Sequence, residues 1–373
     1  LFVSSAFVTP LGNDSIVDKE NDPPFLQQPT NWADSVFETL SSDERIGQLF
    51  MVAAYSNQTQ KHVDEIDSLV SKYKIGGLIF MQGGPVRQAN LYNHYQELAN
   101  VPLMISMDAE WGLAMRIDST VKYPWQMTLG AIQDENLIYQ MGVHLGEQCQ
   151  RLGVQVNFAP VVDVNVNPKN PIINARSFGE DKYNVARKGI AYMKGMQSVN
   201  VMANAKHFPG HGDTDSDSHK TLPTINHSKG RIDSIELYPF QQLIKNGLTS
   251  MMVAHLYIPA YVKEKGMATT LSKEVVTDLL QDSLGFKGLI FTDALNMKGV
   301  SSLFEPGVVD VKALLAGNDV LLFSRDVPTA INEIKKAIQK GEITQEEIDR
   351  RCLKILRAKQ WEGLHEYKPV ETK

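Results

Sequence analysis

The 373-residue sequence is poor in cysteine: only Cys149 and Cys352 occur, and there is no C-x-x-C motif. This scarcity excludes a disulfide framework as the source of stability. Each cysteine lies in a stretch of helical character, "GEQCQRLG" and "RRCLKILRAK". We therefore expect two buried free thiols rather than one disulfide, because an unpaired cysteine behaves as a small hydrophobic residue.

The sequence also lacks a basic excess and a long apolar run. Lys and Arg number 37 against 43 Asp and Glu, a formal net charge of −6, so nucleic acid is not an expected partner. No apolar window is long enough for a transmembrane helix, so no membrane-spanning segment is expected. With 43% hydrophobic and 21% charged residues, the chain has ample material for a globular core.

The two ends differ in composition from the rest of the chain. Residues 1 to about 30 are polar and Pro-rich and are predicted to be a poorly ordered lead-in, 31–362 a single domain, and 363–373 a tail or the start of a linker to a further module. The chain begins without Met, which is typical of a removed targeting segment or of an arbitrary boundary. We expect a periplasmic or secreted protein, with a cytoplasmic location as the alternative.

Short apolar runs alternate with amphipathic helical stretches from about Trp32 onward. One helix is "DENLIYQMGVHLGEQCQRLG", with Asp134 as the expected N-cap and Gly153 as its end. Runs that are apolar at consecutive positions are typical of parallel strands covered on both sides. We count eight or nine strands: "IGQLFMVAA", "IGGLIFMQ", "VPLMISMD", "MTLGAI", "VNFAPVVDV", "VMANAKHF", "MMVAHLYI", "GLIFTDAL" and "DVLLFS".

Repeated βα units of this kind form either a (β/α)8 barrel or a doubly wound sheet. The sequence has no G-x-G-x-x-G motif after a strand, which favours the α/β fold of a single-domain (β/α)8 TIM-type barrel. Polar residues stand at the C-terminal ends of the predicted strands, which is the catalytic face of such a barrel. A buried strand avoids charge at its end unless the charge is paired or used. These residues, which together indicate an enzyme, are Asp108, Asp163, Lys206, His207, His255 and Asp293.

Three of the motifs admit both a structural and a functional interpretation. Asp293 in "GLIFTDALNM" is either a helix N-cap or a nucleophile at the tip of a rigid strand. In "ISMDAEWGLAMR", Asp108, Glu110 and Arg116 are suited to binding sugar hydroxyls, although a capped loop would use the same residues. Arg176 lies in the long Asn- and Pro-rich loop "NPKNPIINARSFGED", where it is positioned to clamp a polar substrate.

The most polar stretch is "KHFPGHGDTDSDSHK", from Lys206 to Lys220. A metal site would need an anchored motif such as H-E-x-x-H, which is absent, so no metal and no cofactor is expected. A phosphate cradle and a solvated loop are weaker alternatives. The favoured interpretation is catalytic: Asp217 and His219 are two residues apart, and in an extended segment the carboxylate would lie beside the imidazole and orient it.

These motifs resemble glycoside hydrolase family 3, and more narrowly its β-N-acetylglucosaminidase branch. The resemblance covers roughly residues 35–362 and rests on "D-x-E-x-G-x-x-x-R", "NFAPVVDVN", "RSFGED", "KHFPGHGDT", "DSH" and "FTDAL". It implies a retaining mechanism in which Asp293 is the nucleophile and His219, paired with Asp217, is the general acid/base. By the same resemblance, the residues that hold the terminal N-acetylglucosamine are Asp108, Arg116, Arg176, Lys206 and His207. Peptidoglycan fragments are the implied carbohydrate substrates, and peptidoglycan recycling is the implied role.

One departure from the family pattern stands out, because "EWG" replaces "EGG" at Glu110 to Gly112 and alters the expected rim of the pocket. Three alternatives stay open at this point. A β-glucosidase or phosphorylase would use the same barrel. A non-catalytic carbohydrate-binding protein would keep the same pocket, and a metal-dependent barrel hydrolase would lose activity to a chelator.

Overall fold

The computed structural model of the chain describes residues 21–215 and 222–372. Within them, eight strands form a single parallel sheet whose order is β7-β6-β5-β4-β3-β2-β1-β8. A parallel bridge between Phe291 and Val320 joins the two edge strands and closes the barrel. The strands are β1 Phe50–Ala54, β2 Gly77–Phe80, β3 Met104–Met107, β4 Val156–Asn157, β5 Met202–Phe208, β6 Ser250–Val253, β7 Leu289–Thr292 and β8 Leu321–Leu322.

This topology confirms the predicted (β/α)8 barrel and excludes the doubly wound sheet, since an open sheet has no contact between its edge strands. Every strand residue except Ala53 is buried. Side chains that point inward fill the barrel, and those that point outward meet the surrounding helices. Burial on both sides explains why the strands read as continuous apolar runs rather than as alternating patterns.

Helices cover the outside of the barrel and follow the strands in sequence. Asp134 accepts a hydrogen bond from the Asn136 amide at 2.9 Å, which confirms the predicted N-cap. The α-helices of the described part are α1 Asn31–Thr39, α2 Ser42–Gly47, α3 Gln60–Tyr73, α4 Pro85–Leu98, α5 Gln126–Gly130, α6 Glu135–Arg151, α7 Lys182–Gln197, α8 Lys229–Ser234, α9 Leu237–Ile244, α10 Lys298–Ser301, α11 Val308–Ala316, α12 Val327–Gln339 and α13 Gln345–Trp361, and a π-helix covers Glu274–Ser283.

One predicted strand is wrong, because "MTLGAI" begins within the short helix α5. Its local hydrogen bonding explains the difference. The Gln126 side chain donates to the carbonyl oxygens of Val161 and Arg176, at 3.0 and 2.5 Å. A Cβ on Gly130 would lie 2.0 Å from the Phe178 carbonyl oxygen, so the segment packs tightly on the loop after β4. A short apolar run does not by itself distinguish strand from buried helix.

Both described ends pack on the barrel. On the N-terminal side, a 3-10 turn at Pro24–Leu26 contacts α13, and Phe25 is buried. At the other end, the Val370 amide donates to Asn93 Oδ1 of α4 at 2.8 Å, and Asn93 Nδ2 donates to the Val370 carbonyl oxygen at 2.9 Å. The domain boundaries at residues 30 and 363 stay predictions.

The cysteine prediction is confirmed, because Cys149 and Cys352 are both buried and free. Burial in apolar surroundings raises the pKa of each thiol to about 12, which keeps both as inert core residues. Among residues 21–215 and 222–372, no helix is both long and apolar enough to cross a bilayer.

Candidate active site

A pocket of about 430 Å³ opens at the C-terminal ends of the strands, where the sequence predicted a catalytic face. Its volume is typical of small-molecule sites. Asp293 and all five residues predicted to bind the terminal sugar line this one pocket. The apolar part of the wall is rich in methionine, a side chain that adapts its shape to a ligand. Its main apolar members are Tyr55, Ile79, Met81, Trp111, Met115, Ile172, Met252, Met297, Leu322 and Phe323.

Lys206 is the centre of the polar wall. Its Nζ lies 2.7 Å from Asp108 Oδ1 and 2.8 Å from Glu110 Oε1, and the side chain is almost fully buried. Arg116 Nη2 donates to the second oxygen of Asp108 at 2.6 Å. Burial alone would raise the pKa of Asp108, but Lys206 and Arg116 outweigh it and hold the pKa well below its ordinary value. The carboxylate is thus ionised and able to accept sugar hydroxyls through its remaining lone pairs.

Glu110 has a different role from the one expected. We expected its carboxylate to accept sugar hydroxyls, but it is buried and forms a bidentate pair with Arg176, at 2.8 Å from Nε and 2.7 Å from Nη2. Burial raises the pKa of Glu110, yet Arg176 and Lys206 together lower it to about 2. Glu110 therefore acts as a counter-charge that fixes both cations, and Arg176 presents its remaining edge to the pocket.

His207 is held by Asp163, a strand-end residue to which the sequence analysis assigned no role. Asp163 Oδ2 lies 2.7 Å from His207 Nδ1, and Arg176 Nη2 lies 3.3 Å from Nε2. Since a guanidinium only donates, this arrangement assigns the His207 proton to Nδ1 and makes Nε2 an acceptor. Burial would raise the pKa of Asp163, but His207, His211 and amide hydrogen bonds lower it.

Hydrogen bonds from the loop that follows β4 hold the turn after β5 in place. The pairing of β5 with β6 shifts register between Ala205 and Phe208, and Lys206 and His207 project into the site from this irregularity. The buried Asn170 side chain donates to the His211 carbonyl oxygen at 2.8 Å and to Thr214 Oγ1 at 3.3 Å. Sequence reasoning missed Asn170, and its only signal was the unusual Asn and Pro content of that loop.

Asp293 lies directly after β7, and its amide donates to the Val253 carbonyl oxygen at 3.0 Å. The next helix, α10, begins at Lys298 with Met297 as its N-cap, so the N-cap interpretation of Asp293 is excluded. Beneath it, the buried His255 places Nε2 3.0 Å from the Ala294 carbonyl oxygen. His255 thus holds the Asp293–Ala294 segment rather than lining the pocket.

Asp217 and His219, the predicted acid/base pair, lie outside the described residues, and their roles stay predictions. The chain on either side is linked by a described contact, because Asp213 pairs with His227 and lies 3.6 Å from Arg231. Within the described ranges, no group of three His, Cys, Asp or Glu side chains is arranged to hold a metal ion.

The described geometry is that of one polar pocket at the C-terminal ends of the strands, lined both by the Asp293 segment and by the charged cluster around Lys206. Residues 41–358 match the profile described as "Glycosyl hydrolase family 3 N terminal domain". The chain belongs to glycoside hydrolase family 3.

Relatives within the family carry related names. The chain is 34% identical over 331 residues to the beta-hexosaminidase A of Pseudoalteromonas piscicida, covering 79% of this chain but 55% of the relative. It is 28% identical to the beta-hexosaminidase LpqI of Mycobacterium tuberculosis, and the match covers 85% of this chain and 82% of that relative. A solved family 3 beta-N-acetylglucosaminidase from Paenibacillus sp. str. FPU-7 superposes with a TM-score of 0.81 at 35% identity, covering 87% of this chain and 63% of that one. The chain thus spans little more than half of some relatives and most of others.

Proposed function

We propose that this family 3 domain is a retaining exo-β-N-acetylglucosaminidase. It would release N-acetylglucosamine from the non-reducing end of β-linked saccharides, with peptidoglycan fragments as the natural source. The observation that carries the proposal is the convergence of Asp108, Arg176, Lys206 and His207 in one pocket with Asp293. The name of the Paenibacillus relative, a beta-N-acetylglucosaminidase, supports N-acetylglucosamine as the sugar, and the name of the Pseudoalteromonas relative, a beta-hexosaminidase, is consistent with it.

Recognition of the terminal sugar rests on charges that are already in place. The contacts among Asp108, Lys206, Glu110 and Arg176 are between 2.7 and 2.8 Å, so each charge is held by a neighbouring protein group. Donors and acceptors held in this way need no reorganisation when the sugar binds or when charge develops in the transition state. The methionine-rich wall then faces the apolar parts of the sugar.

The reaction would proceed in two displacements. Asp293 attacks the anomeric carbon and forms a glycosyl ester, while the leaving oxygen takes a proton from His219. Water then attacks the same carbon, gives its proton to His219, and frees the Asp293 carboxylate. A histidine with an ordinary pKa near 6.5 suits both steps at neutral pH. After it has given up its proton, the neutral imidazole does not repel the anionic nucleophile.

The first experiment is an assay of the purified chain on 4-nitrophenyl N-acetyl-β-glucosaminide and 4-nitrophenyl β-glucoside, with and without phosphate. We expect hydrolysis of the first substrate, no dependence on phosphate, and the β-anomer as the first product in the proton NMR spectrum. Activity confined to the glucoside, or turnover that requires phosphate, would replace the proposal with a glucosidase or a phosphorylase.

Two variants assign the catalytic groups. We expect Asp293→Asn and His219→Ala each to lower kcat by roughly 10⁴-fold or more, as removal of a nucleophile or its base does elsewhere. The matched control is Asp278→Asn, an exposed aspartate paired with Lys273. Wild-type rates in Asp293→Asn would overturn the assignment of the nucleophile.

A further inference from the structure

Two tryptophans, the half-buried Trp111 and the exposed Trp125, form an aromatic pair at the rim of the pocket. The rings of Trp111 and Trp125 are 4.1 Å apart between centroids and inclined by 47°. Trp125 is 38% exposed, and the neighbouring Val121 is 58% exposed, although side chains of this size are usually covered. Trp111 lines the pocket, whereas Trp125 and Val121 lie outside it. The apolar surface therefore continues from the pocket outward, and exposed apolar patches of this kind mark binding surfaces.

The position of the pair is built into the backbone. The Tyr123 amide donates to the Trp111 carbonyl oxygen at 3.0 Å, which folds the 118–125 segment back on the strand end. Gly112 adopts φ +90°, and a Cβ there would lie 2.7 Å from the Val121 carbonyl oxygen and from the Tyr123 ring. A side chain at position 112 would separate the two segments, so glycine is needed for Trp111 and Trp125 to meet.

The pair faces the wall that carries Asp293. Trp111 follows β3 and Asp293 follows β7, and three strands separate β3 from β7 in either direction around the barrel. A retaining enzyme holds its nucleophile and its acid/base on opposite sides of the scissile bond, so the leaving group points away from the nucleophile. Trp125 lies outside the pocket that holds the residues assigned to the terminal sugar, so a leaving group that extends away from Asp293 and out of the pocket passes the Trp111–Trp125 pair.

We propose that Trp111 and Trp125 form a platform that binds the sugar ring on the leaving-group side of the scissile bond. This inference rests on the proposed function and deepens it, because it assigns the substrate class as saccharides with a carbohydrate leaving group. One face of a β-linked pyranose presents C–H groups, which fit the negative faces of indole rings. Lys122 Nζ lies over the Trp125 ring, 5.7 Å from its centroid, and adds a cation beside the pair.

The test compares two substrates that share the terminal sugar and differ in the leaving group: N,N′,N″-triacetylchitotriose and methyl N-acetyl-β-glucosaminide. We expect Trp125→Ala to lower the ratio of their kcat/KM values by about tenfold, mainly through KM for the trisaccharide, and Trp125→Phe to restore most of it. The matched control is Tyr183→Ala, which removes an exposed ring, paired with Tyr238, that does not line the pocket. A ratio that is unchanged in Trp125→Ala, or that falls equally in Tyr183→Ala, would overturn the platform.

Two further readouts keep this inference separate from the proposed function. If the wild-type chain hydrolyses neither substrate, the proposed function fails whatever the variants do. If it hydrolyses both, calorimetric binding of chitotriose to Asp293→Asn and to the Asp293→Asn/Trp125→Ala pair tests the platform without turnover. We expect about tenfold weaker binding in the second protein, and equal affinities would contradict the platform.

Discussion

Lys206 determines the electrostatics of the pocket at the scale of single residues. It contacts carboxylates from two positions after β3, and those carboxylates in turn bind Arg116 and Arg176. A buried charge is tolerated only when it is paired and hydrogen-bonded, and here each member of the cluster supplies the partner for the next. The cluster is thus one unit, and loss of any member leaves another charge uncompensated.

The bidentate contact between Arg176 and Glu110 gives the first prediction. Arg176→Lys keeps the charge but loses the two-pronged geometry, so each lost hydrogen bond to a charged group should cost roughly 1.5–3 kcal/mol of unfolding free energy. We also expect kcat/KM to fall at least tenfold. Urea unfolding and the chromogenic assay measure the two effects. Arg187→Lys is the control, because Arg187 is 56% exposed and its contact with Glu135 is 3.4 Å. Equal effects at the two positions would contradict the role of the bidentate pair.

Asp163 carries the second residue-scale prediction. Its carboxylate accepts hydrogen bonds from His207 Nδ1 and from the backbone amides of His207 and His211. The bond from the His211 amide is 2.6 Å long. Asp163→Asn replaces one acceptor oxygen with a donor and so disturbs the His207 tautomer. We expect kcat/KM to fall by roughly 10–100-fold, as loss of an orienting partner does at histidine sites elsewhere. The pH dependence of kcat/KM should also change in this variant. A wild-type rate with an unaltered pH dependence would contradict the orienting role of Asp163.

At the scale of elements, the site depends on how closely two loops approach one another. The loop after β4 carries Asp163, Asn170 and Arg176, and the turn after β5 carries His211 and Gly212. A Cβ on Gly212 would lie 1.9 Å from the Val164 carbonyl oxygen, which belongs to the first loop. The contact between these loops therefore fixes the distance between Arg176 and the turn that leads towards the predicted acid/base.

A glycine comparison tests this contact. We expect Gly212→Ala to force the loops apart, to lower the unfolding free energy by roughly 1–3 kcal/mol and to reduce turnover. Gly230→Ala is the control, because Gly230 lies in helix α8 with nothing within 4 Å of its Cβ position. That change should raise stability by roughly 0.5–1 kcal/mol and leave activity intact. Thermal unfolding with a parallel assay distinguishes the two, and a harmless Gly212→Ala would mean that the loops tolerate separation.

At the scale of the whole molecule, two buried carboxyl groups make the stability of the fold depend on pH in opposite directions. The pKa of Glu110 is lowered to about 2, so its contribution to stability is present above the unfolded value and is lost as the pH falls through the folded one. Burial in helix α11 raises the pKa of Asp310 to about 6. Stability therefore falls as the pH rises from about 4 to 6, because the unfolded Asp310 carboxyl ionises in that range while the buried folded one keeps its proton.

Removal of the Asp310 charge gives the stability prediction. The raised pKa of Asp310 corresponds to a loss of roughly 3 kcal/mol of unfolding free energy at neutral pH. We expect Asp310→Asn to raise the melting temperature at pH 7 and to flatten the stability profile between pH 4 and 6. Calorimetry at pH 4.5, 5.5 and 7 measures this, with Asp278→Asn at an exposed position as the control. A profile as steep as that of the wild type would exclude Asp310 as its source.

The barrel was predictable from the sequence because its strands are buried on both sides and its polar residues stand at their C-terminal ends. That pattern predicted eight of the strands and collected Asp108, Lys206, His207 and Asp293 on one face. The same reasoning placed a strand at "MTLGAI", where helix α5 lies. A short apolar run has no periodicity with which to separate the two.

Which charges meet was decided only by the tertiary structure. Arg176 pairs with Glu110 across 66 residues of sequence, and His207 pairs with Asp163 across 44. Each of these side chains had several oppositely charged candidates in the sequence, and only barrel closure selects among them. The Trp111–Trp125 contact likewise depends on the positive φ of Gly112 and on the return of the 118–125 segment. The sequence by itself determined the fold and the set of residues at its catalytic face, whereas their pairing required three-dimensional contacts that no local pattern encodes.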